Sequence, residues 1–280
     1  MKTINTNFIQ AIFLIITFLV FGIQNCHAEI IKANNFAILK NEIIRLASKD
    51  SLVLFDVDDV LISPTDEFNF RSKIRKYLKK EIAKDKSKHE VEVIFSDFFL
   101  KRKVQLINEN MPKLLEFLRD KKISASALSA WWTDNFGTIQ KMEKQRLKEL
   151  EQVKISFADL SPFNEDIRFT SNKNEHGGTP MVISGIILTG LKDKGEVLGL
   201  ALNSINKKFK RIIFIDDQIK YLKEVEKFCA KNGLDFVGIH YTESSLARVP
   251  EFDSAKEKMR FNILEEEHVW LSDPELEERL

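Results

Sequence analysis

Asp56, Asp58 and Asp59 crowd three carboxylates into one short stretch, directly after the apolar run Leu52-Val53-Leu54-Phe55. Far along the chain, Asp216-Asp217 follows a run of the same character, Arg211-Ile212-Ile213-Phe214-Ile215. Like charges this close repel, and acids rarely leave water without a partner. Acids at the ends of buried strands therefore call for a cation among them, whether a divalent ion, a lysine or both. Ser129 ends a third apolar stretch, Lys122 to Ala130, and Lys194 opens a helical pattern with Gly195 beside it. Carboxylates and a hydroxyl gathered at one edge can hold a cation, or a phosphate with its metal. Lys192, Lys207, Lys208 and Lys210 are rivals for the lysine. Lys194 is preferred because it opens a helix and Gly195 permits close backbone approach. Asp56, Asp58 and Glu67 also match three places of a calcium-binding loop, but Leu61 stands where that loop needs Gly.

Those residues must be carried by regular elements. Ser51–Phe55, 122–130, 211–215 and 235–240 read as buried strands, and 36–48, 138–153, 195–209 and 218–231 read as helices. Strands alternating with helices predict an α/β fold, a doubly wound parallel sheet in three layers. In such a sheet all strand C-termini share one edge, where ligands bind. Asp56, Ser129, Asp216 and Asp217 all fall on that edge. Residues 66–120 are helical in pattern and predict a cap inserted over the site. Residues 133–185 read as a second, irregular insertion, and the region 155–190 holds a turn at Gly177-Gly178-Thr179-Pro180 and a β-like run, MVISGIILTG. The Glu-rich tail from Lys256 reads as an exposed helix. Trp131-Trp132 reads as packing.

Apolar residues are 44% of the 280, enough for a substantial core. Basic and acidic residues number 43 and 42, so no global field points to nucleic acid as a partner. Met1-Lys2, the apolar run Ala11–Ile23 and Cys26-His27-Ala28 have the pattern of a secretory signal, with cleavage expected after Ala28. An uncleaved anchor and lipidation of Cys26 are the alternatives. Cleavage leaves Cys229 as the one cysteine, placed for burial, and no membrane span. The five histidines have no zinc-ligand spacing.

Four stretches together resemble the motifs of the haloacid dehalogenase (HAD) superfamily, mostly phosphatases and phosphotransferases. They are Asp56-Val57-Asp58-Asp59-Val60, Leu128-Ser129-Ala130, Lys194-Gly195-Glu196-Val197-Leu198 and Phe214-Ile215-Asp216-Asp217, in the superfamily's order. The third motif and the helix after Trp131-Trp132 are similar to a subgroup of exported proteins from host-associated Gram-negative bacteria. The resemblance spans about residues 50–242 and implies roles. Asp56 would be the nucleophile that forms an aspartyl-phosphate, and Asp58 the acid that protonates the leaving oxygen. Ser129 and Lys194 would bind the phosphoryl group. Mg²⁺ would be held by Asp56, Asp216, the Asp58 carbonyl and, directly or from behind, Asp217. The implied protein is an exported, Mg²⁺-dependent phosphatase, periplasmic or secreted, acting on a phosphorylated small molecule. The rival is a secreted, non-catalytic binding protein on the same fold.

Overall fold

Ser51–Phe55 is buried at every position, so the strand it forms must lie between two covering layers. The computed structural model describes residues 27–65, 80, 83–244 and 253–280, and it sets this strand in the middle of an eight-stranded sheet. In chain order the strands are β1 (Ala28–Ala33), β2 (Ser51–Phe55), β3 (Ile62–Pro64), β4 (Val104–Leu106), β5 (Ser124–Ser129), β6 (Ile167–Arg168), β7 (Met181–Ile183), β8 (Ile186–Leu188), β9 (Arg211–Asp216) and β10 (Asp235–Tyr241). The helices are α1 (Phe36–Leu46), α2 (Lys88–Lys101), α3 (Met111–Asp120), α4 (Met142–Gln152), α5 (Lys194–Asn203), α6 (Ile219–Lys231), α7 (Ser254–Glu267) and α8 (Asp273–Glu277).

The sheet runs β1-β10-β9-β2-β5-β8-β7-β6. Strands β1 to β8 of that order are parallel, and β7 and β6 add an antiparallel edge. The α/β class and mostly parallel sheet expected from the sequence are therefore present. Phe55 pairs with Ala127 on one side and Ile215 on the other, which aligns the strand ends that carry the acids. One face packs Val53, Phe55, Ala127 and Ile215 against α1, α3 and parts of α2 and α4. The other packs Leu54, Leu128 and Phe214 against α5 and α6, with Cys229 buried among them. From β2 the chain moves through β5 to β8, then crosses back over α5 to β9 on the far side. The crevice outside the C-terminus of β2 is thus a topological switch point, where α/β sheets bind ligands.

Several local expectations need correction. Within 66–120, residues 66–79 and 81–82 lie outside the described ones. Of the rest, α3 is part of the sheet-covering layer, burying Met111, Leu114, Leu115 and Leu118. Strand β4 pairs with β3 beside the site. Helix α2 is roofed by the C-terminal segment, Phe98 meeting Trp270 at 4.7 Å between ring centroids. The tail is therefore not an exposed helix: Phe261, Leu264 and Trp270 are core, and Arg260 is wholly buried. The run MVISGIILTG is two strands turned at Ser184-Gly185, both with positive φ. Helix α5 ends at Asn203, before the expected Phe209, where Ser204 folds its hydroxyl onto the Ala201 carbonyl. Helix α4 starts at Met142, later than expected, because Phe136 and Ile139 pair with each other first.

The expected secretory segment lies outside the described residues except for His27 and Ala28. Ala28 opens β1, and cleavage after it would leave Glu29–Ala33 still paired with β10. Among the described residues no helix is long and apolar enough to cross a membrane.

Candidate active site

At the end of β2 the chain must expose acids without losing its anchorage. Asp56 N donates to the Ile215 carbonyl at 2.8 Å, the last rung toward β9. Val57, Val60 and Leu61 are fully buried, and Leu61 N and Ile62 N both donate to the Val57 carbonyl at 3.0 Å. Asp59 sits at φ +62, a left-handed position that Asp tolerates better than most residues. The apolar residues pin a tight turn, so Asp56 and Asp58 leave it at fixed places.

Asp216 ends β9 fully buried, with Asp217 following it. Its Oδ1 accepts from Gln218 N at 2.7 Å, which closes the turn into α6. Lys194, the first residue of α5, is buried completely. Its Nζ bridges Asp56 Oδ1 at 2.8 Å and Asp216 Oδ2 at 2.7 Å. The Tyr221 ring lies 4.3 Å away as a cation–π wall. Lys194, among its rivals, is thus the lysine that reaches the acids.

Asp56, Asp216 and Asp217 each offer a carboxylate oxygen within 4.8 Å of the others. Three carboxylates against one ammonium leave an uncompensated negative charge. Burial pushes the Asp56 and Asp216 carboxyls well above the usual range despite Lys194, and burial with the neighbouring Asp56 raises Asp217 to about 7. Burial works against the Lys194 ammonium, but Asp56 and Asp216 outweigh it and hold its pKa above the ordinary value. An all-oxygen, anionic donor set with charge to spare fits a hard divalent cation such as Mg²⁺.

Asp58 takes another course. Its two oxygens accept a fork from Arg146, Nη1 at 3.1 Å and Nη2 at 2.5 Å, and Arg102 Nη2 lies 3.7 Å from Oδ1. Glu149, fully buried, joins both arginines, at 2.6 Å to Arg102 Nε and 3.0 Å to Arg146 Nη1. Arg146 is buried completely, its guanidinium 3.6 Å from the Trp131 ring centroid. The Asp58 side chain is therefore outside the carboxylate triad and belongs to a charge-balanced cluster with α4. Ser129 stands at the same edge, buried, with no hydrogen-bond partner for its Oγ among the described residues.

A family model described as "Protein of unknown function (DUF2608)" matches residues 32–277, nearly the whole chain. The chain belongs to the DUF2608 family. It is also similar to an uncharacterized protein of Rickettsia bellii (strain RML369-C), 24% identical over 249 residues, which cover 85% of this chain and 82% of that one. No solved structure matches.

In this DUF2608 protein the residues that sequence reasoning overlooked are Arg146, Arg102 and Glu149. Arg146 and Glu149 lie in KMEKQRLKEL, as hydrophilic as a solvated helix, and Arg102 lies in the basic run Lys101-Arg102-Lys103, so composition gave no signal. Arg146 and Glu149 of that helix are held inward by the Trp131 ring and by pairing with Asp58 and Arg102.

Two results follow from this geometry. Gly195 faces α6 so closely that a Cβ would lie 2.4 Å from the Glu224 carbonyl oxygen. Gly195→Ala should therefore wedge α5 from α6, lower stability by about 1–3 kcal/mol and displace Lys194; urea unfolding with the cation-induced melting shift reads both. The second concerns pH. Asp56, Asp216 and Asp217 have folded pKa values raised above the ordinary 3.8, so the folded state holds more protons than the unfolded. In chelator, their contribution to stability is complete below about pH 4 and is lost as pH rises toward about 7. Lys194 stays protonated throughout. A divalent cation competes with those protons, so its stabilising shift should grow over the same interval, as melting temperatures with Mg²⁺ and with chelator from pH 5 to 8 would show.

Proposed function

We propose that this protein is a Mg²⁺-dependent phosphatase of the HAD type, exported from the cell, that hydrolyses a phosphate monoester through an aspartyl-phosphate. The observation that carries the reading is Lys194, buried between Asp56 and Asp216 with Asp217 beside them, at the switch point of a parallel sheet. A structural ion pair would need one carboxylate, and this site assembles three.

In this reading Asp56 attacks phosphorus, forming an Oδ–P bond as the bond to the leaving oxygen breaks. Asp58 passes a proton to that oxygen. In the second half a water attacks the phosphoryl group, gives its proton back to Asp58, and Asp56 is released. Lys194 holds the Asp56 carboxylate in place and neutralises the incoming phosphate, and Ser129 donates to a phosphoryl oxygen. Mg²⁺ held by Asp56, Asp216 and Asp217, with the Asp58 carbonyl, would supply further charge neutralisation. Asp58 can play its part only if the substrate's leaving oxygen replaces one of the two hydrogen bonds it accepts from Arg146.

That fork is also the observation favouring a second reading, a non-catalytic binding protein in which Asp58 is a fixed structural anion. A panel of phosphate monoesters with Mg²⁺, with chelator and with Asp56→Asn separates them. Chelator-sensitive turnover that Asp56→Asn abolishes is the expected result. A Mg²⁺-induced melting shift with no turnover on any monoester would favour the binding protein.

A further inference from the structure

Two neighbouring hydroxyls at the sheet's C-terminal edge are buried without a partner. Thr189 is 0% exposed and Ser129 1%, and neither side-chain oxygen finds a hydrogen bond among the described residues. An unpaired buried hydroxyl is unfavourable unless something else satisfies it. Thr189 N donates to the Ser129 carbonyl at 3.0 Å, so the ladder between β5 and β8 continues one residue past Leu188.

Strand alternation then decides where Thr189 points. Ile186 and Leu188 pack with the layer of α1 and α3, whereas Ile187 packs with α5 and α6. Thr189 shares the face of Ile187. Asp56 and Asp216 share the faces of Leu54 and Phe214, which belong to that same core layer. Thr189 therefore leaves the sheet on the side where Lys194 bridges the acids, and it begins the short connection that ends at Lys194. By the same alternation Ser129 follows Ala127 to the other face.

The backbone at the start of α5 is already engaged. Lys194 N donates to Glu224 Oε2 at 2.8 Å, and Glu196 N to Asp193 Oδ1 at 2.8 Å. On that side, beside the Lys194 ammonium, the Thr189 hydroxyl is a donor with no hydrogen-bond partner among the described residues. We propose that Thr189 is an oxyanion-binding residue whose hydroxyl donates to an oxygen of the phosphoryl group held by Lys194. The bound group then spans β2, β9 and β8, with Ser129 closing it from the opposite face. This rests on the phosphatase reading.

The test compares wild type, Thr189→Val and Thr189→Ser by calorimetry with orthovanadate in Mg²⁺, and by melting without ligand. Thr189→Val removes the hydroxyl at nearly constant volume. It should bind vanadate roughly 10- to 100-fold more weakly, while the ligand-free protein melts no lower than wild type. Thr189→Ser should keep wild-type affinity. Equal vanadate affinity in wild type and Thr189→Val would overturn the assignment alone, as would a lower melting point with affinity intact, the mark of a merely structural hydroxyl. Failure of wild type itself to bind vanadate with Mg²⁺ would overturn the phosphatase reading and this assignment with it.

Discussion

Asp56→Asn should abolish turnover, by about 10⁴-fold or more in kcat, while leaving the protein folded. The amide matches the carboxylate in shape but carries no charge, so it cannot open an attack on phosphorus. The fold should not suffer. Asp56 is an acid whose ionised form burial opposes, and Lys194 keeps Asp216 as its partner at 2.7 Å without it. The variant in chelator should therefore melt at or above wild type, yet gain less from Mg²⁺, having lost one of three carboxylates. Mass spectrometry of acid-quenched wild type should show a single added phosphoryl group that the variant lacks. Asp59→Asn is the matched control, since Asp59 is exposed and left-handed, a conformation Asn takes readily. Its activity should be that of wild type. Asp56→Asn activity within about tenfold of wild type would remove Asp56 as nucleophile.

Why that residue could be singled out at all is a matter of locality. Leu52–Phe55 and Ile212–Ile215 are short, continuous apolar runs bounded by polar residues, and such a run with an acid at its end reads as a buried strand delivering the acid to an edge. Parallel pairing then brings Asp56 and Asp216 together without further information. Lys194 was legible because helix entry and Gly195 are both local, and the glycine's contact with the Glu224 carbonyl supplies the reason for it. Asp58 was legible as an acid of the site but not in its surroundings, because Arg146 lies 88 positions away in a helix that looks solvated. The buried face of that helix is largely polar, Glu143, Gln145, Arg146 and Glu149 beside Met142 and Leu150. Hydropathy patterns assign such a face to water. The same blindness affected the tail, where Arg260 is buried by pairing with Glu257 and Asp273 beneath Trp270. Thr189 escaped notice for the opposite reason, since a single hydroxyl after an apolar strand is common and its missing partner shows only in three dimensions.

Lys194→Met should be the most destabilising single change in the site, and its cost should depend on the cation. Methionine fills nearly the same volume, so packing against Phe214 and Tyr221 is largely kept. What disappears is the only ammonium seen to bridge Asp56 and Asp216 among the described residues. Breaking a buried pair by removing one partner typically costs about 3–5 kcal/mol, and here two buried carboxylates lose their partner together. In chelator at pH 7.5 the variant should lose about that much stability in urea unfolding. Lowering the pH should return part of it, because the orphaned acids can then take protons. Mg²⁺ should return part of it too, and should stabilise the variant more than it stabilises wild type, because the ion then neutralises three acids unaided. Activity should not return with stability, since the phosphate has lost a preorganised cation worth roughly 10²–10³-fold in kcat. Adding Asp56→Asn should recover stability in chelator beyond what the two changes predict separately, the mark of directly interacting groups. If Lys194→Met in chelator is as stable as wild type, or if Mg²⁺ stabilises it no more than wild type, the three acids do not form one charged centre around that lysine, and the cation site fails with it.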